Sequence, residues 1–240
     1  MTPPHQHGHP VDDHRRMHEA VWTKEQALEA LEFPGRSETE DPDALWKAAG
    51  LRRGMTVVDV GAGSGFFALP AARIVGPKGR VFAVDVSREL VELIGERARS
   101  DGLRNVEALL SRPGRIPLAD RTADRVLLAN LLHGVPPETI REAVRLLGRS
   151  GRFLALDWKK EPTPGGPPVE FRLTPSEAGR VLGKYGMRTI RSWEAGPYHY
   201  AILLKRAEPV RTPRTPVDRV SHRPPERTPR TKRLLPGPRE

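Results

Sequence analysis

The sequence predicts an α/β domain organised around a parallel sheet, and a few observations carry that expectation. Between residues 56 and 205 short apolar runs alternate with segments of helical periodicity, the pattern of strands joined by crossover helices. The first run, Val57-Val58-Asp59-Val60, breaks at a glycine-rich turn, Gly61-Ala62-Gly63-Ser64-Gly65. The second run ends in an acid, Asp85, twenty positions beyond Gly65.

Taken in order, residues 1–11 are rich in His and Pro and carry no apolar periodicity, so they are expected to be unstructured. His5, His7 and His9 alternate there, but without a carboxylate or a scaffold they predict no metal site. Asp12-Asp13 precedes a helical pattern from His14 to Phe33, with the acids where they favour the helix dipole. A second short helix runs from Pro42 to Ala49 and stops at Gly50, giving a helical N-terminal cap over 12–50. After the glycine turn, Phe66 to Val75 opens a helix, and Gly79 to Asp85 is the second strand. Ser87 suits the N-cap of a helix from Arg88 to Ser100. Strands follow over Asn105 to Leu110 and Asp124 to Ala129. Pro136-Pro137-Glu138 opens a helix to Leu147, and Gly151 to Asp157 is the fifth strand. Thr174-Pro175-Ser176-Glu177 has the spacing of a capping box and starts a helix through Tyr185. Arg188 to Glu194 and His199 to Lys205 close the sheet as an antiparallel pair around Gly196-Pro197.

The chain of 240 residues has no cysteine, which excludes disulfides, thiolate metal sites and cysteine nucleophiles. No apolar run approaches the ~20 residues that cross a bilayer, and the first ten residues lack the apolar core of a signal peptide. A cytoplasmic protein without a membrane partner is the expectation. The net charge of +10 is uneven, because residues 207–240 hold eight Arg and one Lys against four acids. Eight prolines and few large apolar residues predict that this tail is disordered. Arg-Thr-Pro-Arg occurs twice in it, at 211–214 and 227–230. A basic arm for nucleic acid is one reading of the tail, and a solubilising extension is the favoured one. No aromatic residue interrupts it to stack on a base.

A glycine turn lets a ligand approach the backbone, and an acid at the tip of the next strand can accept hydrogen bonds from ribose hydroxyls. These features predict a site for a nucleoside-containing cofactor. A dinucleotide fingerprint needs a third glycine where this chain has Phe66. The G-x-G-x-G spacing after Asp59 instead resembles motif I of class I S-adenosylmethionine-dependent methyltransferases. The resemblance covers about residues 40–206. It is strongest over 56–67, the strand ending at Asp85, and Ala123 to Asp157. Arg52-Arg53-Gly54-Met55-Thr56, Gly76-Pro77-Lys78-Gly79-Arg80, Asp157-Trp158-Lys159-Lys160 and Gly196-Pro197-Tyr198-His199-Tyr200 look like the same family. Together they resemble the branch near the ubiquinone/menaquinone-biosynthesis methyltransferases.

That resemblance implies a seven-stranded sheet of order 3-2-1-4-5-7-6 with strand 7 antiparallel, and a domain over 51–206. The cap helix, residues 12–33, would lie across the mouth of the cleft. The methionine part of S-adenosylmethionine would lie over Gly61, Ala62, Gly63 and Gly65, with Asp59 near its ammonium group. Asp85 would bind the ribose hydroxyls, Val86 would pack on adenine, and Asn130 would line the methyl group. Family members usually place an acid after strand 3 to read the adenine amino group; here Leu110-Ser111-Arg112-Pro113 offers none, leaving Ser111 or a backbone carbonyl. His133 is a candidate general base and Asp157 a candidate for contacting substrate.

The function these residues imply is in-line methyl transfer to a small-molecule acceptor. An N-P-P-Y motif is absent, since Leu131 and Leu132 follow Asn130, and cytosine-C5 or cysteine-dependent arsenite chemistry lacks its thiols. Methylation of RNA or protein with help from the basic tail, and non-catalytic nucleoside binding on the same scaffold, are the alternatives.

Overall fold

A computed structural model describes residues 24–33 and 35–208. The expectations for residues 1–11, for the start of the first helix, for His5, His7 and His9, and for the Arg-Thr-Pro-Arg repeats lie outside the described residues.

The apolar runs form a sheet because their side chains can be buried on both faces only if helices cover them. Strands β1 (Thr56–Val60), β2 (Arg80–Asp85), β3 (Val106–Leu110), β4 (Ala123–Ala129), β5 (Leu147–Trp158), β6 (Met187–Glu194) and β7 (His199–Arg206) make one sheet. Their order is β3-β2-β1-β4-β5-β7-β6, with β7 antiparallel to both neighbours. The order reverses between β1 and β4, which start two opposite series of crossovers. A crevice forms beyond the carboxyl ends of the strands at such a point.

Helices α1 (Lys24–Leu31), α2 (Arg36–Thr39) and α3 (Pro42–Ala48) precede the sheet. The crossovers carry α4 (Ala68–Val75), α5 (Arg88–Ser100), α6 (Pro137–Leu146) and α7 (Pro175–Gly183). Alternation along each strand divides the core. Val58, Val60, Val126, Leu128 and Ile202 pack with Ile140, Val144 and Leu182 on one face. Val57, Leu127, Leu154 and Ala201 pack with Trp46, Ala68 and Val75 on the other. Trp46 is fully buried and donates from Nε1 to the Phe67 carbonyl at 2.9 Å, fastening α3 to the start of α4.

Local signals behave as their chemistry requires. Ser87 accepts from Leu90 N, and Thr174 with Glu177 forms a complete capping box at the start of α7. Three features depart from expectation. β5 begins at Leu147, not Gly151, because Ala123 pairs with Leu147 before a register shift lets Arg125 pair with Arg152. The four-residue helix α2 is additional, and so is a single 3-10 turn over Val169–Phe171.

Among the described residues no helix is long and apolar enough to cross a membrane.

Candidate active site

The glycine turn folds back on the tip of β2. Gly61 N and Ala62 N both donate to the Val84 carbonyl, at 2.8 and 3.0 Å, and Gly63 N donates to Asp85 Oδ2 at 2.9 Å. Gly61 and Gly63 have φ of +71° and +56°, a conformation that side chains with a Cβ resist. A Cβ on Gly63 would stand 2.8 Å from Leu31 Cδ1, and one on Gly61 would collide with Leu131. The tips of two leucines, from the end of α1 and from the turn after β4, therefore rest on the loop.

Asp59 lies directly before this turn, on the face of β1 that looks toward α2. It is 1% exposed and its Oδ2 has no hydrogen-bond partner. Burial, aided by the negative charge of Asp85, pushes its pKa up to about 7, while Arg36 opposes the shift. Asp85 accepts from Gly63 N on one oxygen and from Ser87 N on the other, at 2.9 Å each. Burial raises its pKa as well, against those hydrogen bonds. The Val86 N–H also favours its charged form, and of about four lone-pair sites on a carboxylate at least one remains for a ligand. Val86, which follows, is 37% exposed, and Leu110 at the tip of neighbouring β3 is 39% exposed. These two side chains flank the place where a flat apolar group would rest. Ser111 is held beside them by donation from its N–H to the Asp85 carbonyl at 2.8 Å.

The other side of the crevice joins Asn130, which the sequence marked, to Arg36 and Glu40, which it did not. Arg36 of α2 is buried, bonds Glu40 through Nε at 3.2 Å, and lies 4.0 Å above the Phe66 ring centroid. Glu40 is 2% exposed and accepts from Asn130 Nδ2 at 2.9 Å. Asn130 itself adopts φ of +56°, and its Oδ1 has no partner. His199 is fully buried against Trp158, their ring centroids 4.2 Å apart, and neither ring nitrogen has a hydrogen bond. Burial lowers the His199 pKa, so the imidazole is neutral near pH 7. The i,i+4 spacing of Arg36 and Glu40 was the available signal for this wall.

His133 and Asp157, separate candidates in the sequence, come together. His133 Nδ1 lies 2.7 Å from Asp157 Oδ1, and the two side chains are 4% and 1% exposed. Asp157 also accepts from the backbone N–H groups of His133 and Trp158, at 3.2 and 2.8 Å. It is thus turned inward, onto the imidazole. With Nδ1–H donated to the carboxylate, Nε2 carries the basic lone pair.

Comparisons with known proteins give the family of the domain that carries this site. A family described as methyltransferase domain matches residues 51–175. The chain belongs to that family. A ubiquinone/menaquinone biosynthesis C-methyltransferase of Klebsiella pneumoniae is 32% identical over 124 residues, which are 48% of this chain and 49% of that protein. An arsenite methyltransferase of Halobacterium salinarum is 34% identical over 112 residues, 45% of this chain and 28% of the other. The chain spans about half the length, or less, of these curated relatives. The crystal structure of a SAM dependent methyltransferase from Aquifex aeolicus matches with a TM-score of 0.71 at 36% identity, covering 76% of this chain and 98% of that one. Within this methyltransferase domain, the matched stretch holds the glycine turn, Asp59, Asp85, Asn130, His133 and Asp157. Arg36 and Glu40 precede it and His199 follows it.

The burial of Asp59 has a measurable consequence. Its folded pKa of about 7 lies above the ordinary carboxylate value, so the native state holds a proton that the unfolded chain has released. Stability therefore falls as pH rises from about 4 to about 7 and levels off above. Asp59→Asn should remove that slope and stabilise the ligand-free protein at pH 8 by at most about 4 kcal/mol, with no gain at pH 4. Urea unfolding at the two pH values measures both.

Proposed function

We propose that this chain transfers the methyl group of S-adenosylmethionine, in line, to a small-molecule acceptor. The observation that carries the reading is the unpartnered carboxylate of Asp59, sealed at the base of a glycine turn where an ammonium group would relieve it. The residues around it fit the rest of the cofactor. Asp85 keeps acceptor capacity for a ribose hydroxyl, Val86 and Leu110 offer apolar walls for a base, and Arg36 supplies a cation opposite Asp59 that suits an α-carboxylate. Leu31 and Leu131 reach the loop with side-chain tips, so rotamer changes would clear the cradle.

The bound sulfonium supplies a methyl group that is already electrophilic, which leaves alignment as the main demand on the protein. Asn130, held by Glu40, would fix one side of the reacting centre. His133 would accept a proton at Nε2 from an acceptor that carries one, with Asp157 orienting its ring. Asp157 then acts through His133 and not on the substrate.

Enclosure supports a small acceptor. Leu31 lies on Gly63, Arg36 on Phe66 and Glu40 on Asn130, so the cap covers the crevice and leaves His133 almost fully buried. A polymer would have to displace that cap. The absence of cysteine argues against the thiol-dependent route to arsenic and favours a carbon, oxygen or nitrogen nucleophile. Hydroquinones are the first acceptors to test, since one relative is named for ubiquinone and menaquinone biosynthesis.

Calorimetry tests the cofactor directly. At pH 6, S-adenosylmethionine binding should release up to one proton per site as Asp59 ionises, and Asp59→Asn should abolish that release. Binding without proton release would remove Asp59 from the ammonium site. Release of S-adenosylhomocysteine with hydroquinones or a low-molecular-weight extract, but not with RNA or protein, tests the acceptor. His133→Ala should lower kcat by roughly 100-fold or more while leaving cofactor affinity unchanged. Arg36→Gln should weaken S-adenosylmethionine but not its decarboxylated analogue, since the lost contact is to the carboxylate. Equal weakening of both ligands would make Arg36 a fastening of the cap alone.

A further inference from the structure

The parallel sheet has two edges, and the candidate active site uses only one. At the opposite edge, where the parallel strands begin, each loop contributes basic side chains. Arg52 stands before β1, Arg80 at the start of β2, Arg104 before β3, Arg121 before β4, Arg149 near the start of β5 and Arg188 at the start of β6; all six are exposed. The strand register adds Arg152, paired with Arg125, and Lys205, paired with Arg188; Arg125 itself is buried and donates to the Ala49 and Gly50 carbonyls. Burial lowers the pKa of Arg125 and Arg206, and neighbouring cations add to it, Arg152 and Arg52 at Arg125 and Arg121 at Arg206, against Asp124 and Asp120.

The carboxylates in these loops, Asp101, Asp120 and Asp124, offset the crowding of positive charge only in part, because they are fewer than the arginines and the fold engages them in other contacts. Asp124 accepts from Thr56 N at 2.9 Å, Asp120 pairs with Arg145 at 2.8 Å, and Asp101 pairs with Arg73. Asp59, Asp85, Glu40 and Asp157 gather instead at the catalytic edge. The molecule is therefore polarised along its strands. A surface of like charges spread over tens of ångströms costs stability unless an anionic partner neutralises it. Arginine dominates the surface, and its planar fork matches phosphate oxygens in pairs.

We infer that this edge binds the phosphate backbone of nucleic acid without reading its sequence. Among the described residues, none of the large exposed apolar side chains, Phe33, Val86, Leu110 and Ile190, lies in the loops of this edge, so these loops offer no apolar anchor for a bilayer. The bound polyanion is not the methyl acceptor, because the catalytic residues lie at the other ends of the strands. The inference stands apart from the methyl-transfer reading and tests separately.

The test is fluorescence anisotropy of the full chain with labelled single- and double-stranded oligonucleotides of unrelated sequence, across a salt series. Sequence-independent binding is expected, with log affinity falling linearly against log salt. The combined Arg52→Gln, Arg80→Gln, Arg149→Gln and Arg188→Gln variant leaves residues 207–240 intact. It should bind at least about tenfold more weakly, with a salt slope smaller by about 3 on duplex DNA. A second variant, Arg104→Glu with Arg121→Glu, should weaken binding in the same direction. S-adenosylmethionine binding, read by calorimetry, should be unchanged in both and reports that they fold. Wild-type affinity and slope in both variants would overturn the inference, as would no binding by the unaltered chain. Preference for phosphatidylserine vesicles over oligonucleotides, or methylation of the oligonucleotide itself, would also overturn it.

Discussion

A carboxylate without a hydrogen bond, sealed at the base of the glycine turn, is the constraint around which the crevice is arranged. Asp59 could have been satisfied at little structural expense, since backbone amides of the turn stand close by. Those amides are directed elsewhere: Gly61 and Ala62 to the Val84 carbonyl, and Gly63 to Asp85. The turn is thus tied to β2 and leaves Asp59 unanswered. A buried acid in this condition protonates to avoid a bare charge, and its pKa of about 7 expresses that escape. The balance reverses as soon as a cation arrives. On the proposed reading, the protein keeps a proton in place until the cofactor's ammonium displaces it.

The cap is fixed to this arrangement through charge as well as packing. Leu28 and Leu31 meet Leu90 and Leu93 of α5, while Arg97 of α5 bonds Glu32 through Nη2 at 2.9 Å and the Ser64 carbonyl at 3.1 Å. Arg36 and Glu40 continue the line of contacts across Phe66 to Asn130. Each link joins a cap residue to an element that bounds the crevice. A buried ion pair contributes little net stability, because desolvation offsets most of its attraction. Its value here is positional: Glu40 holds the amide of Asn130, whose left-handed backbone already sets it apart from the strand it ends.

The strands and the cofactor edge were legible in the sequence because their signals are local, whereas the strand order came with the family resemblance. Val57 to Val60 is apolar but for Asp59, the glycines mark a backbone that turns back on itself, and Thr174 with Glu177 writes a helix start in four residues. The cap wall was not legible, because α2 has only four residues and no periodicity to reveal it. Tertiary contacts hold it, as Arg36 on Phe66 shows. The early start of β5 was hidden for a related reason. Gly148 to Gly151 reads as a turn, yet a register shift against β4 draws those residues into the sheet. The pairing of His133 with Asp157 follows from neighbouring parallel strands: Ala129 opposite Leu156 brings the residues after each strand to one place. Sequence reasoning had both residues but not that register.

The alternation of strand side chains also separates two kinds of work. Asp59, Arg36, Glu40 and His199 belong to the face that packs against α3 and α4, whereas Asp157 and Tyr200 belong to the face covered by α6 and α7. Cofactor binding and proton acceptance would thus be built on opposite faces of one sheet, and they can meet only beyond its edge. Asn130 and Leu131 occupy that meeting point, after the strand where the order reverses. The left-handed turn at Asn130 directs Leu131 over Gly61 and sets His133 at Asp157. A change at Asn130 would therefore disturb both faces together, beyond its own place beside the reacting centre.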